Sequence, residues 1–259
     1  MIESIARFGY WCKAVIYLTV GLLAIAAATG QGGRVTDTSG ALRELLARPF
    51  GPVLLIVLGA GLCGYAVWRL LDAWVDPDRH GTSFGGLVTR IGNVVRAVVY
   101  GALGIEAFRL SQGQKGSGQD EMETWTGRFL ALPLGEWLVG LTGLVVAAYG
   151  VSQVVAAFRP LDKLIDVSVL PSRFRRALVN ISLFGVGSRG VIITAIGVFL
   201  VRAALTENPN EAAGARESVL ALISEFGGRW LLLAIATGLI AYAVDQALHA
   251  RCRRIKPVL

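Results

Sequence analysis

The sequence has few of the residues that bind metals or form disulfides. Its 259 residues include two histidines and three cysteines, and no CxxC pair is present. A structural zinc site needs four nitrogen, sulfur or carboxylate ligands, and a disulfide framework needs an even number of cysteines. We therefore expect Cys12, Cys63 and Cys252 to be free thiols, and we expect no metal, no cofactor and no catalytic residue.

Charged residues are also scarce. They make up 17% of the chain, whereas a soluble domain usually has about 25%. Hydrophobic residues reach 54%, and the mean hydropathy is +0.59. This balance excludes an ordinary soluble domain and favours a membrane protein. The net charge of +7 is then a signal of membrane topology, and nucleic acid is not an expected partner.

Six apolar segments are long enough to cross a bilayer whose hydrocarbon core is roughly 30 Å thick. They are residues 10–29, 52–74, 89–110, 134–158, 183–204 and 229–249. The eight prolines lie at the ends of these segments or between them, so none is expected to kink a span. The first segment has the character of a secretory signal, but we expect it to be retained because its pattern recurs twice further along the chain.

The recurrence indicates three repeats. One landmark is a cation in the first helix of each repeat, with steps of 83 and 93 residues: Lys13, Arg96 and Arg189. The other is a tyrosine in the second helix, with steps of 84 and 93 residues: Tyr65, Tyr149 and Tyr242. These offsets predict an all-α membrane protein of six transmembrane helices. The helices form three pseudo-symmetric hairpin repeats at 1–83, 84–170 and 171–259, within one integral membrane domain.

A short helix is predicted in the connector of each hairpin. The connectors read ALRELLARPFG, WTGRFLALPLG and SVLALISEFGG, and each directly precedes the second span of its repeat. In the third, apolar residues recur at the spacing of one helix face: Val219, Leu222, Ile223 and Phe226. We interpret the connectors as interfacial helices on the membrane surface, with ordinary loops as the alternative.

The distribution of positive charge predicts the orientation. Sixteen of the 25 Lys and Arg residues lie near the N-terminus, the second and fourth loops and the C-terminus. Cytoplasmic segments of membrane proteins are enriched in these residues. Both termini are therefore expected to be cytoplasmic.

Residues four apart share a helix face, so three layers can be predicted inside the bundle. The layer nearest the cytoplasm contains cations and amides: Lys13, Arg69, Arg96, Gln153, Arg189 and Gln246. The next contains tyrosines: Tyr17, Tyr65, Tyr100, Tyr149 and Tyr242. The deepest contains glycines: Gly21, Gly61, Gly104, Gly197 and Gly238.

Each layer suggests a role. The glycines are expected to let helix backbones pack closely, and the tyrosine hydroxyls to hydrogen-bond to the polar layer. The cations either orient the helices by reaching the membrane surface or form a vestibule that binds an anion or a lipid headgroup. Asp72 and Asp245 are nearby counter-charges. Glu106 either titrates or pairs with Arg109 three residues away.

The repeat itself resembles a known family. Two of the three units open on [KR]-x-x-[VI]-Y, at Lys13–Tyr17 and Arg96–Tyr100, and the third has Ile193 in place of the tyrosine. Three such tandem two-helix units resemble the bacterial "domain of unknown function 1206" family over nearly the whole chain. The resemblance implies a bacterial cytoplasmic (inner) membrane protein with a three-hairpin fold, and it implies no activity.

The absence of recognisable catalytic chemistry favours a non-enzymatic accessory or scaffold protein that acts through protein or lipid partners. The lipids are expected to be anionic and on the cytoplasmic side, where the Lys and Arg residues concentrate. The alternative is a small transporter or channel for an anionic solute or lipid headgroup.

Overall fold

The computed structural model describes residues 2–31, 35–75, 84–114, 121–158, 173–207, 220 and 228–252. The long helices are α1 (Ile2–Thr29), α3 (Gly51–Val75), α4 (Phe84–Ser111), α6 (Gly135–Ala156), α7 (Arg175–Leu205) and α8 (Gly228–Cys252). The short helices are α2 (Thr38–Leu46) and α5 (Glu121–Leu130). The described residues include no strand. The predicted all-α fold class is confirmed.

All six long helices are long and apolar enough to cross a membrane. Many large apolar side chains on them are exposed, among them Val98, Trp137 and Leu144. Exposed apolar surface on this scale would be unfavourable in water but is expected of helices that face lipid. The chain is a multi-pass helical membrane protein.

Two of the three predicted short helices are present, as α2 and α5. The third, at residues 218–228, lies outside the described residues except for Leu220 and Gly228. Asp37 caps α2, because its carboxylate accepts a 2.8 Å hydrogen bond from the Gly40 amide. Helix α2 does more than lie on the surface, since Ala41 and Leu42 are fully buried and it contacts α1, α3 and α4.

The turns that follow α2 and α5 are built alike. Phe50 and Leu134 both adopt left-handed backbone conformations, with φ of 61° and 64°. Each precedes a glycine, Gly51 or Gly135, at which a methyl group would overlap a carbonyl of the preceding short helix. The matching PFG and LPLG sequences therefore encode one tight turn that starts the second span of each repeat.

The long helices are arranged as an open ring. The most extensive contacts join consecutive repeats, through the pairs α3–α4, α6–α7 and α8–α1. Within the first and third repeats α1 packs on α3 and α7 on α8, but α4 and α6 make no comparable contact in the described residues. The order around the ring is α4, α3, α1, α8, α7, α6. Its gap therefore lies inside the middle repeat.

Three of the predicted packing glycines lie at the contacts between repeats. A methyl group at Gly21 would lie 2.6 Å from Ile240 of α8, and one at Gly104 would lie 3.1 Å from the Gly59 carbonyl of α3. At Gly197 it would overlap the backbone of Ala147 in α6. Small residues let membrane helices approach each other closely, which increases their dispersion contact.

The other two glycines lie at contacts within a repeat. A methyl group at Gly61 would overlap Cys12 of α1, and one at Gly238 would overlap Ser188 of α7. The equivalent position in the middle repeat is Val145, whose side chain is 59% exposed. The helix pair that lacks this glycine is thus the pair that does not pack.

Candidate functional site

Four cations and five tyrosines meet in the interior of the ring. We call them the cation–tyrosine cluster: Lys13, Tyr17, Tyr65, Arg69, Arg96, Tyr100, Tyr149, Arg189 and Tyr242. They lie around the middle of the six long helices. We call the end of the bundle at which α1 begins and α8 ends the termini end. The opposite end, which carries α2 and α5, is the connector end.

Lys13 is enclosed by aromatic rings. Its ammonium donates a 3.2 Å hydrogen bond to the Tyr65 hydroxyl and lies 4.5 Å and 4.4 Å from the ring centres of Tyr65 and Tyr100. Cation–π contact and a hydroxyl partner offset part of the cost of removing an ammonium from water. Only 3% of Lys13 is exposed, so its side chain does not reach the surface as a helix-orienting lysine would.

Arg69 has a complete set of partners. It donates hydrogen bonds of 2.8 Å and 3.0 Å to the hydroxyls of Tyr65 and Tyr10. It also donates to Asp72 at 3.1 Å and to the Asn93 side-chain carbonyl at 3.2 Å. Asp72 therefore supplies the counter-charge that was expected of it, and the Arg69–Asp72 pair joins α3 to α1 and α4.

Arg96 and Arg189 are held by neutral groups. Arg96 donates to the Tyr149 hydroxyl at 2.7 Å and to the Asn93 carbonyl at 2.8 Å. Arg189 donates to the Tyr17 hydroxyl at 3.3 Å, and its guanidinium lies 5.0 Å from the ring centre of Tyr242. Among the described residues, neither arginine forms a salt bridge with a carboxylate, and the same is true of Lys13.

Asp245 contacts polar residues outside the cation–tyrosine cluster. Its carboxylate accepts hydrogen bonds from Ser182 and from Gln246, the latter at 2.7 Å, and lies 3.4 Å from a ring nitrogen of His249. It therefore neutralises none of the cluster cations by direct contact. Gln246 joins this acidic group rather than the cations, and Gln153 is half-buried with no side-chain hydrogen bond among the described residues.

The tyrosines repeat one packing arrangement. Tyr65 meets Tyr100 edge to face with ring centres 5.2 Å apart, and Tyr242 meets Tyr17 in the same way at 4.7 Å. Each pair joins the second helix of one repeat to the first helix of the next. Tyr149 would form the third pair, but its counterpart is Ile193, which has no ring. Its hydroxyl is instead bound to Arg96.

Two residues of the network were not singled out from the sequence. Tyr10 and Asn93 both bind Arg69, and Asn93 also binds Arg96 and donates to Asp72 at 2.9 Å. They occupy equivalent positions, each three residues before the cation of its repeat. A polar residue at this spacing inside an apolar span lies on the same helix face as the cation, and this signal could have identified both.

Comparison with known proteins identifies the repeat. The family model described as Domain of Unknown Function (DUF1206) matches residues 8–76, 91–159 and 184–253. The chain belongs to the DUF1206 family. A relative from Bacillus subtilis (strain 168), Uncharacterized protein YxxB, is 35% identical over 244 residues, covering 94% of this chain and 88% of the relative. No solved structure is significantly similar to the chain.

Membership of DUF1206 confirms the resemblance stated from the sequence. All nine members of the cation–tyrosine cluster fall within the three matched ranges, so the cluster is built from the repeat units themselves. The family description and the relative are both uncharacterised, and a proposal of function has to rest on the geometry of the cluster.

Proposed function

We propose that this DUF1206 protein is a non-enzymatic accessory protein of the bacterial inner membrane that binds a phosphate-like anion in the cation–tyrosine cluster. The anion is carried by a lipid headgroup or by a small solute. The observation that carries the proposal is the set of cations with no carboxylate partner among the described residues: Lys13, Arg96 and Arg189.

Three of the four cluster cations lack a compensating negative charge among the described residues. A cation at the centre of a membrane helix costs about 2.5–3.5 kcal/mol on insertion scales. Arg69 recovers much of this through Asp72, whereas the other three cations meet only hydroxyls, rings and an amide. A bound anion would supply the missing charge, and the planar guanidinium suits the geometry of phosphate oxygens.

The tyrosine hydroxyls can also contribute to anion binding, because their oxygens accept hydrogen bonds from the cations. The Tyr149 oxygen accepts from Arg96, and the Tyr17 oxygen lies 3.1 Å from that of Tyr100 as well as accepting from Arg189. A phenolic O–H that accepts from a cation still has its own proton to donate. Tyr149 is thus suited to donate to an anion that approaches Arg96.

The rest of the interior supports binding over transport. Towards the connector end many of the buried side chains are apolar, including Val20, Leu58 and Leu103. The next buried acid, Glu106, accepts a 2.7 Å hydrogen bond from Ser39 and lies 3.7 Å from Arg43 of α2. Glu106 therefore forms a salt bridge with Arg43, and the pair with Arg109, one of the two alternatives stated from the sequence, does not form among the described residues. No chain of buried polar residues links Glu106 to the cluster in the described part of the chain.

We expect Arg96→Gln to weaken anion binding about tenfold or more, since it removes a charged hydrogen-bond donor worth about 1.5–3 kcal/mol. Binding is measured by native mass spectrometry of the full chain titrated with phosphatidylglycerol and, separately, with glycerol 3-phosphate. Tyr149→Phe should have a smaller effect in the same direction, because it removes only the hydroxyl.

Arg109→Gln is the matched control. Arg109 lies on the same helix as Arg96 but is exposed near the connector end, so binding should not change. If the unmodified protein binds neither ligand, or if both glutamine variants bind alike, the cluster is only a structural brace and the proposal fails.

The cytoplasmic location of the termini is a separate expectation with its own test. In a cysteine-free background, a cysteine at Gln112, exposed at the end of α4, should react with a membrane-impermeant maleimide in intact spheroplasts. A cysteine at Glu3, exposed at the start of α1, should react only after lysis. The reverse pattern would contradict the orientation predicted from the Lys and Arg distribution.

A further inference from the structure

The gap in the helix ring lies beside the cations that lack a carboxylate. Helix α6 packs along α7 and helix α4 along α3, and among the described residues α4 and α6 make no comparable contact. The one described side-chain bond across the gap is that of Arg96 to the Tyr149 hydroxyl. The space between these helices therefore leads directly to the cluster.

Pseudo-symmetry shows what is missing from the gap. Gly9, Gly92 and Gly185 each lie four residues before the cation of their repeat, and in α4 this puts Gly92 on the face from which Arg96 reaches α6. A methyl group at Gly9 would overlap Tyr65 of α3, and one at Gly185 would overlap the backbone of Tyr242 in α8. At Gly92 it would meet no atom within 4 Å. In the middle repeat, open space replaces the packed helix.

The walls of the gap are apolar beyond Arg96 and Tyr149. On α6, Leu141 and Val145 share a face with Tyr149 at steps of four, and both are exposed. On α4, Val99 follows Arg96 by three residues and is also exposed. All three lie on the connector side of the cations. The gap thus has a cationic site nearer the termini end and apolar walls towards the connector end.

We propose that an anionic phospholipid enters the bundle sideways through the gap between α4 and α6, with its phosphate at Arg96 and Tyr149 and an acyl chain against Val99, Leu141 and Val145. This inference rests on the proposed function and specifies its ligand as a lipid. Charge complementarity supports this binding mode. The cationic residues would face the phosphate, and the apolar walls on the connector side would face the acyl chain. With the termini in the cytoplasm, the direction from cation to apolar wall is that of a lipid in the cytoplasmic leaflet.

The proposal is tested with a variant that fills the gap and leaves all four cations of the cluster in place. Gly92→Leu places a side chain in open space, and Ala102→Leu adds the same side chain at an exposed position on the same helix. Native mass spectrometry of the full chain is used with phosphatidylglycerol, phosphatidylcholine and glycerol 3-phosphate as probes. We expect phosphatidylglycerol to bind at least tenfold more tightly than the other two. Gly92→Leu should weaken its binding at least fivefold, and Ala102→Leu should leave it unchanged.

A second variant keeps the proposal testable if Gly92→Leu does not fold. Val145→Phe obstructs the same gap from α6, and at 59% exposure the added ring has room. It should also weaken phosphatidylglycerol binding while preserving the unfolding midpoint of the unmodified chain. Normal phosphatidylglycerol binding in a folded Gly92→Leu or Val145→Phe protein would overturn the lateral route.

Three further outcomes separate this inference from the proposed function. If glycerol 3-phosphate binds as tightly as phosphatidylglycerol and is insensitive to Gly92→Leu, the lateral route is wrong but anion binding stands. If no probe binds, both fail. If Val145→Cys gives a quantitative disulfide between two chains, the gap belongs to a second copy of the protein, which also overturns lipid entry.

Discussion

Arg69→Ala is expected to lower the free energy of unfolding by about 3–5 kcal/mol, because it leaves a buried carboxylate without its cation. Arg69 is bound to Asp72 and to the hydroxyls of Tyr10 and Tyr65, and its guanidinium lies 4.3 Å from the ring of Trp68. These partners belong to α1 and α3. Loss of the guanidinium should therefore loosen the contact between these helices.

Unfolding in mixed micelles, followed by tryptophan fluorescence during titration with a denaturing detergent, measures the effect. Arg109→Ala is the control, since an exposed cation away from any network changes stability by about 0.5 kcal/mol or less. The double variant Arg69→Gln, Asp72→Asn should recover more than half of the loss, because the uncompensated charge is then absent. An Arg69→Ala protein as stable as Arg109→Ala would show that the pair contributes nothing.

A second large effect is expected from one methyl group at Gly185. Gly185→Ala would overlap the backbone of Tyr242, so α7 and α8 would have to move apart. Overpacking of this kind costs about 1–3 kcal/mol, and a clash with backbone lies at the upper end of that range. Gly9→Ala, which would overlap Tyr65 of α3, should behave in the same way at the contact between α1 and α3.

Gly92→Ala is the matched comparison, since it is the same substitution at the equivalent position of the middle repeat. Nothing lies within 4 Å of the added methyl group, and alanine is about 1 kcal/mol better than glycine in a helix interior. We expect unchanged or slightly higher stability in the same titration. Equal destabilisation at Gly92 and Gly185 would mean that α4 and α6 pack as the other hairpins do.

These results would define how the three repeats differ. The first and third form packed hairpins, and the second is spread open with Arg96 and Tyr149 spanning the gap. Two sequence differences accompany the opening: Val145 in place of a packing glycine and Ile193 in place of the third tyrosine. The glycine at position 92 is shared with the other repeats, but only there does an added methyl group meet no atom within 4 Å.

The sequence by itself determined the fold class, the six spans and the repeat family. These follow from properties that are local along the chain: a bilayer sets the length of an apolar helix, and a fixed offset marks a repeat. The short helix before α3 was predictable for the same reason, because its apolar period and the turn at Phe50 and Gly51 lie within one segment.

Only the tertiary structure decided which helices pack together and which side chains meet. Arg69 and Asp72 are neighbours on one helix and could be paired from their spacing, but Asp245 turned towards Ser182 and His249, and Asn93 linked Arg69 to Arg96. The spacing along a helix places residues on a face, whereas the partner of that face depends on how closely two backbones approach. The middle repeat has the same spacing as the others, and its helices stand apart because the interface lacks the small residue that close approach requires.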